Sequence, residues 1–412
     1  MEARLRRIPD PVTEGFVAIR SLEIEDAMLS ITGMPVLIVS FVLFVVMLAV
    51  ALVVLPRRRR PGLRKYVEQA VTILLVVFLA LSTTFLYLNR DNHWYGAWGD
   101  LFANNDIGAV STTDFGSAVA QNASYKETTG GDLTDLQRDP QSNPALGEVS
   151  SKDSTGQWLN VTMAPSSGSK TQLSVDALVW LPPGYVGTPD RSYPVVVAFP
   201  GVPGSPGTYQ NGLRIDDLIL DNVDSGSMQA PIVVVPDVFP DNADTECVDG
   251  AAGKWETWIS TDMRTWITTN LRTVPDRQAW AVSGYSAGGW CAAMISLRHP
   301  DQYAWGISLA GYFDVEYTPG QVQNDPDDPR YQLDQLAGKK KPDVALWAFA
   351  GGQDQPALDA LHGFQSHVSA PTSLIATTSE AGGHRTPVWV TPQQDSLKWL
   401  GQVSPWFAAD GS

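Results

Sequence analysis

Residues 279–299 read AWAVSGYSAGGWCAAMISLRH. The apolar run 279–283 predicts a strand, and residues 287–299 predict an apolar helix. Between them, Gly284-Tyr285-Ser286-Ala287-Gly288 has the pattern G-x-S-x-G. Its two glycines have no Cβ, so a strand and a helix can pass each other closely. The pattern therefore predicts a sharp strand-to-helix turn that exposes a serine at the edge of a sheet.

Apolar segments on both sides of this turn indicate the rest of the sheet. Residues 195–199 and 232–235 are continuous apolar runs, which are typical of strands buried on both faces. Residues 345–350 and 372–378 predict two later strands. Residues 173–181 alternate between apolar and polar side chains, which predicts an earlier strand. Residues 255–271 have helical spacing, so strands and helices alternate. The sequence predicts an α/β fold with a mostly parallel sheet and helices on both faces.

A serine hydroxyl becomes a strong nucleophile only when a base takes its proton. Of the five histidines, His384 lies in the loop after the strand at 372–378, where such a base is expected. A carboxylate should orient the histidine, and Asp354 follows the strand at 345–350. Three rivals for that carboxylate remain open, namely Asp343, Asp359 and Glu380.

Two backbone N–H groups are candidates for holding the oxyanion that would form on an attacked carbonyl. Ala287 begins the helix after the serine, where free N–H groups and the helix dipole favour negative charge. Val202 lies in the turn after the strand at 195–199. Its neighbours Pro200 and Pro203 have no N–H and cannot serve.

Two uncharged segments near the start of the chain predict a membrane anchor. Residues 34–55 and 70–88 are each long enough to cross a hydrocarbon core of about 30 Å. The loop at 56–65 carries six positive charges, so the positive-inside rule keeps it cytoplasmic. This topology places residues 89–412 outside the cell. The alternative is two helices buried in a protein core.

Composition narrows the classes of partner and cofactor. Residues 89–412 hold 18 Lys and Arg against 37 Asp and Glu, a net charge of −19, which disfavours nucleic acid. Neither Cys247 nor Cys291 has metal-ligand neighbours, and no motif indicates a cofactor or a metal. The two cysteines are predicted either to form a disulfide or to remain separate thiols.

Several motifs together resemble one branch of a known superfamily. They are KWETW at 254–258, Trp266, the Ser286 turn, His299-Pro300, SLAG at 308–311, PPGY at 182–185 and Gly383-His384. Residues 156–412 resemble the esterase D-like branch of the α/β-hydrolases, which includes secreted trehalose mycolyltransferases. The resemblance implies an α/β-hydrolase fold, acylation of Ser286, His384 as base and Val202 as an oxyanion donor.

The chain departs from that family in three respects. Pro200-Gly201 stands where related esterases have His-Gly. The acid of that family can be Glu or Asp on different loops, so the resemblance does not by itself select Asp354. The hairpin anchor is not part of the mycolyltransferase pattern.

The resulting prediction has three parts: an anchor at 1–88, a polar spacer at 89–155 and an α/β-hydrolase domain at 156–412. It describes a multi-pass membrane protein whose extracytoplasmic serine esterase hydrolyses, or transfers, an acyl group of a lipid or cell-envelope ester. The alternatives are transfer to a sugar acceptor such as trehalose, a peptidase of the same fold, and a non-catalytic binding protein on a hydrolase fold.

Overall fold

The computed structural model describes residues 30–57, 62–102, 105–116, 122–127, 132–152, 154–165 and 168–410. These residues form two compact units. The first consists of the described residues up to Asn105 together with Gly382–His384, and the second of Asp106–Ala381 and the residues from Arg385 onward.

The first unit is dominated by two long helices, α1 (Met34–Arg57) and α2 (Leu63–Asn92). Both are long and apolar enough to cross a membrane. They pack against each other, and the hydroxyls of Ser40 and Thr83 lie 2.8 Å apart between them. Arg90 near the end of α2 donates to the carbonyl of Thr32 before α1. The predicted basic loop lies partly outside the described residues, at 58–61.

The second unit is built on a nine-stranded sheet of order β1-β11-β10-β9-β8-β4-β5-β3-β2. Its strands are β1 (Val110–Phe115), β2 (Gln157–Met163), β3 (Val175–Leu181), β4 (Val195–Phe199), β5 (Ile232–Pro236), β8 (Trp280–Tyr285), β9 (Trp305–Leu309), β10 (Ala345–Ala350) and β11 (Ser373–Ser379). A separate hairpin consists of β6 (Asp249–Gly250) and β7 (Gly253–Lys254). The strands from β4 to β11 in the large sheet are parallel, and β1, β2 and β3 pair in antiparallel fashion.

Helices cover this sheet. They are α3 (Ile215–Asp224), α4 (residues 255–270), α5 (Ala287–Arg298), α6 (Gln355–Gln365) and α7 (Thr386–Val403). Helix α5 packs on β4, β8 and β9, and α6 packs on β10 and β11. Every residue of β4, β5, β8, β9 and β10 is buried. Strands β4, β5, β8 and β10, which the sequence predicts, thus lie at the centre of the sheet with β9, which it does not predict, and the second unit has the α/β-hydrolase fold.

Several described residues within the predicted polar spacer at 89–155 belong to the second unit. Strand β1 pairs with β11 at one edge of the sheet, and Leu146 is 1% exposed in the core. The side-chain amide of Gln137 donates to the carbonyls of Thr268 and Leu271 at 2.9 and 3.1 Å. The sequence pattern misses β1 because its VSTTDF side chains are almost all exposed. Backbone hydrogen bonds to β11, and not an apolar face, hold this strand.

A disulfide joins Cys247 and Cys291, whose Cα atoms lie 5.7 Å apart. Both residues are fully buried, and Cys291 belongs to α5. The bond therefore ties the connection between β5 and α4 to the helix that follows Ser286.

Replacing both cysteines by alanine is expected to lower the free energy of unfolding by about 4 kcal/mol, because the bond closes a long loop in the unfolded chain. Denaturant unfolding of the full chain in detergent measures the change. Wild type reduced with dithiothreitol is the control and should show a similar loss. Equal stability of the oxidised, reduced and substituted forms would contradict the prediction.

Candidate active site

Ser286 occupies the turn between β8 and α5 in a backbone conformation that is rare for a residue with a side chain. Its φ is 56° and its ψ is −128°. Its N–H donates to the Leu309 carbonyl at 2.9 Å, and its carbonyl accepts from the N–H groups of Gly289 and Trp290. The turn is thus held on both sides by main-chain hydrogen bonds. Strained conformations of this kind persist where the surroundings enforce them, and they cluster at functional sites.

The two glycines of the motif are required by close backbone contacts. A Cβ on Gly284 would lie 1.8 Å from the Gly288 carbonyl oxygen, and a Cβ on Gly288 would lie 2.0 Å from the carbonyl oxygen of Phe199. Strand β8, helix α5 and the end of β4 therefore meet at distances that only glycine permits. This packing confirms the tight strand-to-helix turn predicted from the sequence.

The turn after β4 lies directly against the serine. A Cβ on Gly201 would be 2.9 Å from the Cβ of Ser286. The peptide bond that follows Gly201 carries the N–H of Val202, a half-buried residue. Ala287, the other predicted donor, is the first residue of α5 and is buried. The structure thus brings together Ser286 and the backbone segments of both predicted oxyanion donors.

Tyr285 supports this turn, a role that the sequence analysis did not identify. Its ring stacks on Trp389 with centroids 4.9 Å apart and contacts Tyr209 at 5.4 Å. A Cβ on Gly204 would lie 3.1 Å from the Tyr285 hydroxyl. Burial raises the pKa of this hydroxyl, so it stays neutral at physiological pH. Tyr285, the variable residue before Ser286 in the G-x-S-x-G pattern, therefore packs against the turn at 200–204.

Burial separates Asp354 from its three rivals. Asp354 follows β10 and is 2% exposed, whereas Asp359 and Glu380 are exposed. The side chain of Asp343 is 80% exposed and pairs with Arg277. Asp354 stands at the N-cap position of α6, yet its side chain makes no capping hydrogen bond. Helix capping, the structural alternative for this carboxylate, is thus not its role.

His384 follows β11 and is half-buried. Its backbone N–H donates to the carbonyl of His93 at 2.7 Å, and the segment Gly382–His384 belongs to the first compact unit. Strands β8, β10 and β11 are parallel, so the loops that carry Ser286, Asp354 and His384 all leave from their carboxyl ends. The meeting of the three side chains stays a prediction.

Glu256, in the KWETW motif, has a structural role. This buried carboxylate accepts hydrogen bonds from Arg298 at 2.6 Å, His299 at 2.9 Å and Tyr331 at 2.8 Å. Burial by itself raises the pKa of Glu256, but the bonds from His299 and Arg298 outweigh it and lower the pKa to about 2. The network fastens α4 to the end of α5. Among the described residues, no group of three His, Cys, Asp or Glu side chains forms a metal site.

Comparison with known proteins places the chain in a family. The esterase family, described as "Putative esterase", matches residues 168–394, more than half of the chain. An uncharacterized protein of Corynebacterium glutamicum is 25% identical over 242 residues, which cover 55% of this chain and 56% of that protein. The chain thus spans little more than half the length of this curated relative.

Solved structures are similar to part of the chain, and the first agrees with the fold. A ferulic acid esterase superposes with a TM-score of 0.51 at 17% identity, over 60% of this chain and 97% of that one. MPT51 of Mycobacterium tuberculosis gives a TM-score of 0.44 at 15% identity, over 60% of this chain and 99% of that one. The chain belongs to the esterase family, and its second unit has the α/β-hydrolase fold.

Proposed function

We propose that the chain is a membrane-anchored serine esterase with Ser286 as nucleophile, His384 as general base and Asp354 as the orienting acid. The observation that carries the proposal is the strained Ser286 turn with the Gly201–Val202 peptide packed against it. A serine in this conformation presents its hydroxyl to a substrate. Backbone donors fixed beside it can stabilise charge without reorganising during the reaction.

The reaction follows from the roles of these groups. Ser286 Oγ attacks the ester carbonyl while the imidazole of His384 takes its proton, and Asp354 holds the imidazole in the required tautomer. The N–H groups of Val202 and Ala287 hold the oxyanion. The alcohol leaves with the proton from His384, and the acyl group stays on Ser286. Water or another alcohol, deprotonated by His384, then attacks the acyl carbonyl. The bond between the acyl group and Ser286 Oγ breaks, and His384 returns the proton to Ser286 Oγ as the acid or new ester leaves.

The membrane part of the proposal is supported by α1 and α2, whose apolar side chains are widely exposed. With the basic loop between them in the cytoplasm, the esterase domain lies on the outer side of the membrane. An enzyme held there acts on esters at the membrane surface. We therefore propose a lipid or cell-envelope ester as its substrate.

A polar cleft supports acyl transfer to a sugar as the second candidate function. The cleft has a volume of about 490 Å³ and adjoins the residues that follow the turn at 200–204. Its polar lining consists of Asn160, Thr162, Asp176, Gln210 and Asp237. Carboxylates and amides of this kind can hydrogen-bond the hydroxyls of a polyol such as trehalose. The acceptor in the second half-reaction would then be a sugar hydroxyl instead of water.

Turnover of p-nitrophenyl esters by the full chain in detergent tests the proposal. Acyl chains of increasing length are assayed with and without trehalose, and products are identified by mass spectrometry. Release of p-nitrophenol with free acid supports hydrolysis, and an acylated sugar supports transfer. A folded chain that releases no p-nitrophenol from any of these esters contradicts both.

Asp354→Asn is expected to lower kcat by roughly 10²- to 10⁴-fold, because the amide favours the wrong tautomer of the histidine. Asp359→Asn and Asp343→Asn serve as matched controls and should retain full activity, since both side chains are exposed. Steady-state kinetics on one ester compares the three variants. A larger loss for either control than for Asp354→Asn would assign the acid elsewhere.

A further inference from the structure

The chain forms a compact turn directly after α2, at residues 93–100, here called the juxtamembrane turn. Asn89, in the last turn of α2, is fully buried and fastens it. Its side-chain amide donates to the Tyr95 carbonyl at 2.9 Å, and its side-chain oxygen accepts from the Tyr95 N–H at 2.8 Å. The ring of Tyr95 packs on Phe85 of α2 with centroids 5.8 Å apart. One polar side chain of a largely apolar helix thus serves to fix the backbone beyond it.

Hydrogen bonds also hold the backbone of the rest of the juxtamembrane turn. His93 has a φ of 52°, and its N–H donates to the Asn89 carbonyl at 2.8 Å. The carboxylate of Asp100, which is buried, accepts from the N–H groups of Gly96 and Ala97 at 3.0 Å each. These bonds fix the direction in which the carbonyls of the turn point.

The loop that carries His384 packs on the juxtamembrane turn. The His384 N–H donates to the carbonyl of His93 at 2.7 Å. A Cβ on Gly383 would lie 2.6 Å from the carbonyl oxygen of His93 and 2.8 Å from that of Trp94. Only glycine allows this approach. The contacts group Gly382–His384 with α1 and α2 in one compact unit.

We infer that the juxtamembrane turn is a positioning element for His384, so that the rate of acyl transfer depends on the side chains of α2 that build the turn. The inference rests on the proposed role of His384 as general base. Asn89 acts through the backbone of Tyr95 and His93 and is a positioning residue. A displacement of about 1 Å in a catalytic group can cost on the order of a hundredfold in rate. The anchor thereby takes part in catalysis as well as in localisation.

Asn89→Ala in the full chain tests the inference, with Asn92→Ala as the matched control. Asn92 is an exposed residue of the same helix, and its amide donates to the Leu88 carbonyl within that helix. A fluorophosphonate first titrates the active sites in detergent micelles, and kcat and KM for a p-nitrophenyl ester are then expressed per titrated site. For Asn89→Ala we expect kcat per site to fall by about 10- to 100-fold with KM nearly unchanged. Asn92→Ala should match wild type.

This readout separates positioning from stability. A residue that only stabilises the fold changes the number of titratable sites and leaves the rate per site unchanged. Gly383→Ala is the second variant and should lower kcat per site in the same way. Its control is Gly363→Ala, because a Cβ on Gly363 meets no atom within 4 Å.

The outcomes distinguish this inference from the proposed function. Suppose that the fluorophosphonate labels wild type, and that both Asn89→Ala and Gly383→Ala keep the wild-type kcat per labelled site. The inference is then overturned, while the serine esterase mechanism stands. If folded wild type has no titratable site, the proposed function fails and the inference fails with it.

Discussion

Ser286→Ala is expected to lower kcat for ester hydrolysis by roughly four to six orders of magnitude, the loss seen when a serine hydrolase is deprived of its nucleophile. No other hydroxyl can replace it, because Ser286 alone occupies the turn between β8 and α5. Alanine keeps the Cβ that packs on Gly201 and has the same backbone restrictions as serine. The fold and the affinity for substrate should therefore change little.

Ser366→Ala is the control for this variant, since Ser366 is an exposed residue at the end of α6 that donates to the Gly363 carbonyl. Steady-state hydrolysis of one p-nitrophenyl ester, with thermal unfolding of each variant, gives the comparison. Activity of Ser286→Ala within tenfold of wild type would mean that the reaction proceeds without this serine.

His384→Gln is expected to produce a loss of similar size, because the Ser286 hydroxyl would lose its base. The effects of the two substitutions should not add, since nucleophile and base act as a unit. The double variant should therefore be about as slow as either single variant.

Two other histidines provide the controls. His362 lies in α6 and His367 follows that helix. His362→Gln and His367→Gln should keep the wild-type kcat. A wild-type kcat for His384→Gln, with the loss of activity appearing instead in His299→Gln, would move the base to the Glu256 network.

The sequence predicts most strands of the central sheet, because their residues are largely apolar, but it misses β9, where Gly306 and Ser308 interrupt the apolar run. Strands β4 and β10 have the predicted bounds, and β8, β5 and β11 differ by one or two residues at their ends. Strand β1 could not be predicted in this way, since backbone pairing at an edge leaves no apolar pattern. The described residues between 106 and 149 contribute to the second unit although their sequence resembles a polar spacer.

The site is predictable only in part. The G-x-S-x-G pattern is enough to place Ser286 and the first N–H of α5 on one tight turn. Asp354 and its rivals all carry carboxylates, and burial in the structure separates Asp354 from the other three. The contact of Gly383 and His384 with the His93 carbonyl joins residues that are far apart along the chain. No local pattern records such a contact.

The central claim, an activated Ser286, is tested most directly by intact-mass analysis of the full chain after treatment with a fluorophosphonate. The mechanism predicts one adduct on wild type, localised to the peptide that contains Ser286, and none on Ser286→Ala under the same conditions. A folded wild-type chain that gains no adduct, or a Ser286→Ala chain that still gains one, would contradict it.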